Sequence, residues 1–336
     1  MMRLSIIVPA YKVSDFIEKC LISLEQQDIP HSDYEIIVIN DGSPDDSAAI
    51  VTRMQASFPN ILLLNQANQG VSVARNNGIA QARGKYIMAI DPDDYVLPNT
   101  FQRILDKADA QQLDVFYLNF EIFDAHGKSV WQTNFTQLED KIFDGVSGYY
   151  APRVPDGRDP NRSWAILYRR EMLEKYSLKY PKDVPFLEDG AFLVKVFSVA
   201  ERVGFDVGKF HQRTTSKGSA TVTGVYHTEK AINGFLKAAA DLREFSEANR
   251  FGMPQQGLLN HGMANFVLLS LFSQVSLGKI KALQHTIKKI KATGFSQLQT
   301  QGVVDPYRTY AIRFNISPYF FLALYATQMV YKRLTS

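Results

Sequence analysis

The sequence is poor in cysteine and has no long hydrophobic run. Its 336 residues include one cysteine, Cys20, which excludes an internal disulfide bond and is typical of a reducing compartment. No stretch reaches the roughly 18 uninterrupted apolar residues of a transmembrane helix. The apolar run before Pro9 is too short for a signal peptide. We therefore expect a cytoplasmic protein.

Signatures of several common enzyme classes are absent as well. The sequence has no Gly-x-Gly-x-x-Gly dinucleotide fingerprint, no complete Walker phosphate loop, no His-Glu-x-x-His zinc motif and no Gly-x-Ser-x-Gly nucleophile elbow. The formal net charge of +3 is too small to indicate nucleic-acid binding. With 46% apolar and 21% charged residues, the chain has an ordinary globular composition. Its function must therefore be read from local motifs.

The first half of the chain alternates strand-like and helix-like patterns. The predicted strands are Leu4–Val8, Glu35–Ile39, Ile61–Leu64 and Tyr86–Ile90, and the helices between them are Asp15–Gln26, Pro44–Ser57 and Val71–Ala82. Such alternation predicts an α/β fold with a mostly parallel central sheet. From about residue 225 the pattern is almost continuously helical. We predict an α/β domain over residues 1–224 and a helical C-terminal region over residues 225–336.

The segment Asn40-Asp41-Gly42-Ser43 lies between a predicted strand and a predicted helix. Ser43 followed by Pro44 predicts that Ser43 caps the helix. In open α/β sheets, ligands bind at the carboxyl ends of the strands, where this segment lies. The Asp41 carboxylate is therefore suited to accept hydrogen bonds from a nucleobase or ribose. The alternative is that Asp41 only forms a turn into the helix.

The acidic segment Asp91-Pro92-Asp93-Asp94 follows the predicted strand Tyr86–Ile90. Neighbouring carboxylates at a strand end repel one another unless a cation lies between them. Mg²⁺ and Mn²⁺ prefer such oxygen ligands and often share them with a substrate phosphate. The segment therefore predicts a metal site. The alternative is an acidic turn in which Asp93 or Asp94 caps the next helix.

Three further segments contain polar side chains of interest. Arg75 is placed about one turn into a helix, where its guanidinium can reach a base or phosphate, or it is a solvated surface arginine. Glu188 and Asp189 open the predicted helix Glu188–Ala200, where acidic residues suit either the helix dipole or a general base. The loop 211–219 follows the predicted strand Val203–Phe210, and its cationic and hydroxyl groups suit a diphosphate or an ordinary polar loop.

Taken in order, these segments resemble the family 2 glycosyltransferases of bacterial polysaccharide assembly. The matching motifs are Ile6-Ile7-Val8-Pro9-Ala10-Tyr11, Asn40-Asp41-Gly42-Ser43, Gly70–Gly78, Asp91-Pro92-Asp93-Asp94 and Glu188-Asp189. The resemblance covers roughly residues 3–220. It implies the GT-A fold of nucleotide-diphospho-sugar transferases, with a helical extension after it. It departs from the family pattern at Lys12 and Asn40, where the family often has Asn and Asp.

The resemblance also implies roles for individual residues. Those matched to binding of the donor and substrate are Pro9, Tyr11, Asp41, Arg75, Asp91, Glu188, Arg213 and Ser219. Asp93 matches the principal ligand of Mn²⁺ or Mg²⁺, with Asp91 and His211 as further ligands. Asp189 matches the catalytic base.

The reaction that the resemblance implies is sugar transfer with inversion. The donor is a nucleotide-diphospho-sugar, with UDP favoured, and the acceptor is a glycan or a lipid-linked glycan of the cell surface. Nucleotidyl transfer is an alternative, although its usual glycine-rich loop is replaced here by Pro9-Ala10-Tyr11. A non-catalytic scaffold that binds sugar nucleotides is another, against which the intact Asp91, Asp93 and Asp189 argue.

The C-terminal third has two segments that suit a membrane surface. In residues Lys279–Lys291, four apolar residues fall on one helical face and five lysines occupy the rest. The segment Tyr319–Val330 is strongly apolar but too short to span a bilayer. These patterns predict peripheral contact with the inner face of the membrane. The alternative is that these helices pack on the catalytic domain, with the lysines solvated.

Overall fold

The computed structural model describes residues 2–124, 126–153, 162–214, 228–275 and 280–335. They form two compact units, one of residues 2–182 with 199–214 and one of residues 183–198 with 228–335. The predicted boundary at residue 224 lies outside the described residues and stays a prediction. Residues 183–198, which the sequence placed in the first domain, belong to the second unit, where Pro185 packs against Gly234 and Lys195 binds Asp241.

In the described part of the first unit, nine strands form one sheet in the order β3-β2-β1-β4-β8-β6-β9-β5, with β7 beside β6. The strands are β1 (Leu4–Ala10), β2 (Tyr34–Asp41), β3 (Ile61–Gln66), β4 (Tyr86–Ala89), β5 (Tyr95–Val96), β6 (Val115–Phe123), β7 (Ser129–Gln132), β8 (Ile166–Arg169) and β9 (Val203–Thr214). The first four are mutually parallel, as the sequence predicts. β8 runs antiparallel to β4 and β6, while β6 and β9 are parallel. The predicted mixed α/β architecture is therefore present.

The helices of the first unit cover the sheet. They are α1 (Ile17–Glu25), α2 (Ser47–Gln55), α3 (Val71–Gln81), α4 (Phe101–Ala110), α5 (Gly145–Tyr150) and α6 (Arg170–Lys175). Every residue of β1 and β2 is buried, which explains why these strands are mostly apolar in sequence. Cys20 of α1 is fully buried in the same core. This packing fixes the carboxyl ends of β1, β2 and β4 side by side.

The prediction that Ser43 caps α2 is wrong, because α2 begins at Ser47. The Asp45 carboxylate accepts hydrogen bonds from the hydroxyls of Ser43 and Ser47, both at 2.6 Å, and from the Ser47 amide at 3.1 Å. These bonds hold residues 43–46 in a turn ahead of the helix. The Ser43 hydroxyl in turn accepts the Lys12 amide at 2.7 Å. The loop after β1 is thereby attached to the loop after β2.

The second unit is helical. Its helices are α7 (Glu188–Val199), α8 (Glu229–Ala248), α9 (Met253–Val275), α10 (Ile280–Ala292), α11 (Tyr307–Ile316) and α12 (Pro318–Thr335). On α10, Ile287 and Ile290, two of the four residues of the apolar face predicted for membrane contact, are buried. Packing of these helices on the α/β domain, the alternative, stays a prediction. Among the described residues, no helix combines the length and apolar character that crossing a bilayer requires.

Candidate functional site

The centre of the candidate site is the acidic turn that follows β4. The amide of Asp94 donates to the carbonyl of Asp91 at 3.0 Å, which closes the turn. One carboxylate oxygen each of Asp91, Asp93 and Asp94 lies within 4.8 Å of the other two. Burial and the carboxylates of Asp94 and Asp91 raise the pKa of Asp93 to about 6. Three oxygen donors that repel one another at this spacing suit Mg²⁺ or Mn²⁺, so the donor set fits the predicted metal.

Asp94 is the buried member of this turn, with 2% of its surface exposed. Its Oδ2 lies 2.9 Å from Nε2 of His211 on β9, and both side chains are buried. Burial raises the pKa of Asp94. Oδ1 of Asp94 and Nδ1 of His211 are buried without a hydrogen-bond partner. His211 therefore sits at the acidic turn with Nε2 committed to Asp94, and its predicted role as a direct metal ligand stays a prediction.

Trp164 joins His211 to Arg213. The His211 ring stacks on the Trp164 ring with 4.4 Å between centroids, and the Arg213 guanidinium carbon lies 5.6 Å from the same ring. The two residues are two apart on β9, so their side chains leave the same face of the sheet. Sequence reasoning missed Trp164 as a part of the site and gave Asp94 no separate role within the acidic segment. No local signal pointed to Trp164, whereas Asp94 stood inside the acidic motif.

Arg75 on α3 also contacts the acidic turn, at Asp91. It is 3% exposed, and its Nη2 donates to Oδ1 of Asp91 at 2.7 Å. Its guanidinium carbon lies 5.2 Å from the ring of Tyr180. Asn76 fixes Tyr180 through two backbone hydrogen bonds of 2.8 and 2.9 Å. Arg75 is thus buried and bound to Asp91, which contradicts the solvated-surface alternative.

Asp41 ends β2 and shapes the loop before α3. Its carboxylate accepts hydrogen bonds from the side-chain amide of Gln66 at 2.7 Å and from the backbone amides of Gln69 and Gly70, both at 2.8 Å. The turn toward α2 is instead made by Asn40, whose side-chain oxygen accepts the Ser43 amide at 3.0 Å. The alternative in which Asp41 only forms that turn is therefore wrong.

Tyr11 follows β1 and is 44% exposed, while Pro9 lies inside the strand opposite Ile39. Because β1 lies between β2 and β4, Tyr11, Asp41 and the acidic turn share the carboxyl edge of the parallel strands. This edge brings together most of the predicted site residues of the first unit.

Glu188 and Asp189 lie in the second unit, half-buried in the first turn of α7. The helix starts after Leu187, whose φ is +60°, and the Gly190 amide donates to the Leu187 carbonyl at 3.1 Å. Adjacent helical residues point about 100° apart, so the two carboxylates face different directions. Their roles stay predictions. Ser219 lies outside the described residues.

Solved structures of similar fold include two sugar transferases. TarS 1–349 of S. aureus in complex with UDP-GlcNAc, from a protein named poly(ribitol-phosphate) β-N-acetylglucosaminyltransferase, aligns with a TM-score of 0.68. The match is 19% identical and covers 97% of this chain and 92% of that chain. The mannosyltransferase PcManGT from Pyrobaculum calidifontis, in complex with GDP-Man and Mn²⁺, aligns with a TM-score of 0.53 at 16% identity over 96% of this chain and 85% of that one. These likenesses confirm the predicted GT-A fold.

Sequence relatives agree with the fold. The uncharacterized glycosyltransferase EpsJ of Bacillus subtilis (strain 168) is 37% identical over 203 residues, which is 59% of this chain and 57% of that protein. The aligned part thus spans little more than half of that relative. The profile of the family described as "Glycosyl transferase family 2" matches residues 5–177, just over half of the chain. The resemblance seen in the motifs is confirmed, and the chain belongs to glycosyl transferase family 2.

Proposed function

We propose that this chain transfers a sugar, with inversion, from a nucleotide-diphospho-sugar to a hydroxyl of a glycan or lipid-linked glycan in cell-surface glycan synthesis. The observation that carries the proposal is the acidic turn of Asp91, Asp93 and Asp94 at the carboxyl edge of the sheet, bounded by Arg75 and His211. Family membership favours sugar transfer over nucleotidyl transfer. The UDP-GlcNAc bound by TarS supports UDP as the nucleotide.

The donor nucleotide would bind along the edge that carries Tyr11 and Asp41. The Tyr11 ring is exposed there and offers a flat surface for a base. The two oxygens of Asp41 already accept three N–H groups and have capacity for about one more donor from a base or ribose. Asp41 therefore both shapes the loop before α3 and accepts a hydrogen bond from the donor. Pro9, which is buried in β1 two positions before Tyr11, is also proposed to contact the donor.

The diphosphate would lie at the acidic turn. Asp91 and Asp93 would hold Mn²⁺ or Mg²⁺, and the bound ion would supply positive charge next to the leaving diphosphate. Arg75 keeps the Asp91 carboxylate in place through its 2.7 Å hydrogen bond, and the Asp94–His211 pair does the same for the far end of the turn. Arg213 places a positive charge beside the turn, and its field lowers the pKa that burial raises at Asp93. The turn is thus held rigid before a ligand arrives.

The acceptor hydroxyl needs a base, and Asp189 is proposed for this role. It would take the proton of the hydroxyl as that oxygen attacks the anomeric carbon, while the bond from that carbon to the diphosphate oxygen breaks. The released products are a nucleoside diphosphate and the extended glycan. Glu188 is proposed to contact the substrate.

A donor panel tests the function. The purified chain is incubated with UDP-, GDP- and dTDP-sugars, and release of the nucleoside diphosphate is measured with Mn²⁺, with Mg²⁺ and in excess EDTA. We expect release from one nucleotide class, dependent on a divalent cation. Donor binding without any turnover, even with candidate acceptors, would support the scaffold alternative. Full activity in EDTA would contradict the metal assignment.

A further inference from the structure

The charge of the chain is distributed very unevenly. Ten of the 37 basic residues but only one of the 34 acidic residues, Asp305, lie in residues 248–336. This segment therefore has a formal charge of +9, while the first 247 residues have −6. The modest net charge of +3 conceals this asymmetry. A strongly cationic segment indicates an anionic partner.

The α11–α12 hairpin of the second unit displays apolar side chains to solvent. Ile312, Ile316, Tyr319 and Phe320 are 45%, 71%, 53% and 47% exposed. We call these four residues the α11–α12 corner. In the same hairpin, Ala311, Phe314, Phe321 and Leu322 are buried, so the hairpin already has an apolar face for packing. The exposed residues thus form a second apolar surface beyond the one that folding uses.

The four residues are close in space because of the turn between the helices. Ile312 and Ile316 are one helical turn apart on α11, on the same stripe as the exposed Arg308. The Ser317 amide donates to the Arg313 carbonyl, and the Phe321 amide donates to the Ser317 carbonyl, so α12 starts directly after α11 ends. Tyr319 and Phe320 therefore follow Ile316 at the same end of the hairpin. α11 and α12 contain no acidic residue.

We propose that the α11–α12 corner docks this chain onto an anionic phospholipid surface. Exposed isoleucine, phenylalanine and tyrosine side chains at a helix turn suit insertion at the boundary between lipid headgroups and acyl chains, where aromatic side chains are favoured. The positive charge of residues 248–336 draws the corner toward anionic lipids. The same charge opposes pairing of this face with a second copy of the chain. Docking does not depend on the proposed sugar transfer, since it uses different residues.

The surface differs from the one that the α10 pattern predicts. Ile287 and Ile290 of α10 are buried, and Lys289 of that helix binds Glu229 and Asn233 of α8. α10 is therefore committed to packing. The contact with lipid is made by α11 and α12, and the exposed lysines of α10, Lys281, Lys288 and Lys291, add only to the charge.

Vesicle co-sedimentation of the full chain tests the proposal. The vesicles are phosphatidylcholine with or without about one third phosphatidylglycerol. We expect binding to the anionic vesicles only, weakened at about 0.5 M salt. Ile316→Asp and Phe320→Asp should each weaken binding about tenfold or more, because a charge replaces an inserted apolar group. The matched control is Met253→Asp, since Met253 of the same unit is 73% exposed and the charge change is identical.

A second readout keeps the test independent of folding defects. Phe320→Trp should shift its emission to shorter wavelength on anionic vesicles and be quenched by brominated lipid, whereas Met253→Trp should show neither effect. The proposal is overturned if the unmodified chain fails to bind anionic vesicles, or if Ile316→Asp binds as well as the unmodified chain. It is also overturned if Met253→Asp loses as much binding as Ile316→Asp. A concentration-dependent dimer that Ile316→Asp abolishes would assign the corner to self-association instead.

Discussion

Two groups of carboxylates in this chain occupy opposite environments. In the acidic turn of the first unit, Asp94 is buried and Asp93 is half-buried, and burial raises the pKa of both. In the second unit, Glu188 and Asp189 are half-buried in the first turn of α7. A carboxylate group that is buried with its like charges needs a cation. We propose that the pair on α7 instead serves the acceptor hydroxyl, which needs a base.

The largest expected effect follows from removing the centre of the acidic turn. Asp93→Asn should lower turnover about 10³-fold or more, because the charge on the leaving diphosphate loses its stabilisation. Mn²⁺ binding, measured by calorimetry, should weaken in parallel. Asp106→Asn is the control, since Asp106 is an exposed carboxylate that binds Arg3 and Gln102 in the first unit. If Asp93→Asn keeps its Mn²⁺ affinity, the acidic turn is not the metal site.

A smaller but more selective effect is expected at α7. Asp189→Asn should lower turnover about 10²-fold or more and leave donor affinity unchanged, because it removes only the proton acceptor. Glu188→Gln should do less, since its side chain points about 100° away. If the two residues serve only the helix dipole, both changes would cost a little stability and leave turnover alone. A near-unmodified rate for Asp189→Asn would refute its role as the base.

The smallest effect concerns stability against pH without added metal. Because the pKa of Asp93 is raised to about 6, the folded chain holds more protons than the unfolded chain between about pH 4 and 6. The contribution of Asp93 to the free energy of unfolding is therefore largest at low pH and falls as the pH rises through this window. Asp93→Asn lacks that dependence. The melting temperature of Asp93→Asn minus that of the unmodified chain should therefore increase by a few degrees from pH 4.5 to pH 7. A difference that does not change with pH would contradict the raised pKa of Asp93.

The parallel half of the fold could be predicted from the sequence because its signals are local. The buried strands β1, β2 and β4 each contain a short, nearly continuous apolar run, and segments of helical character separate them along the chain. The order of the strands in the other half of the sheet could not be predicted in this way. β8 lies between β4 and β6 in the sheet although it follows both in the chain, and nothing local encodes such pairing.

The candidate site shows the same limit. Asp91, Asp93 and Asp94 stand together in the sequence, so their cluster was visible there. The pairing of Asp94 with His211 joins residues 117 positions apart, and Trp164 stacks on His211 from a third segment. The start of α2 was missed for a different reason: Asp45 accepts the hydroxyl of Ser43, which the pattern assigned to the cap, and that of Ser47, where the helix begins. Local rules fail where one side chain has several partners to choose from.

Cys20 gives the first unit a built-in reporter of its motions. The thiol is fully buried beneath the acidic turn, with Sγ 3.9 Å from the carbonyl oxygen of Asp91, and burial raises its pKa. A buried protonated thiol reacts with alkylating reagents only when the surrounding structure opens. The rate of Cys20 alkylation therefore measures how often the core beneath the turn opens to solvent. Because no other cysteine competes, a fluorophore attached to a cysteine introduced on the surface would also mark one position alone.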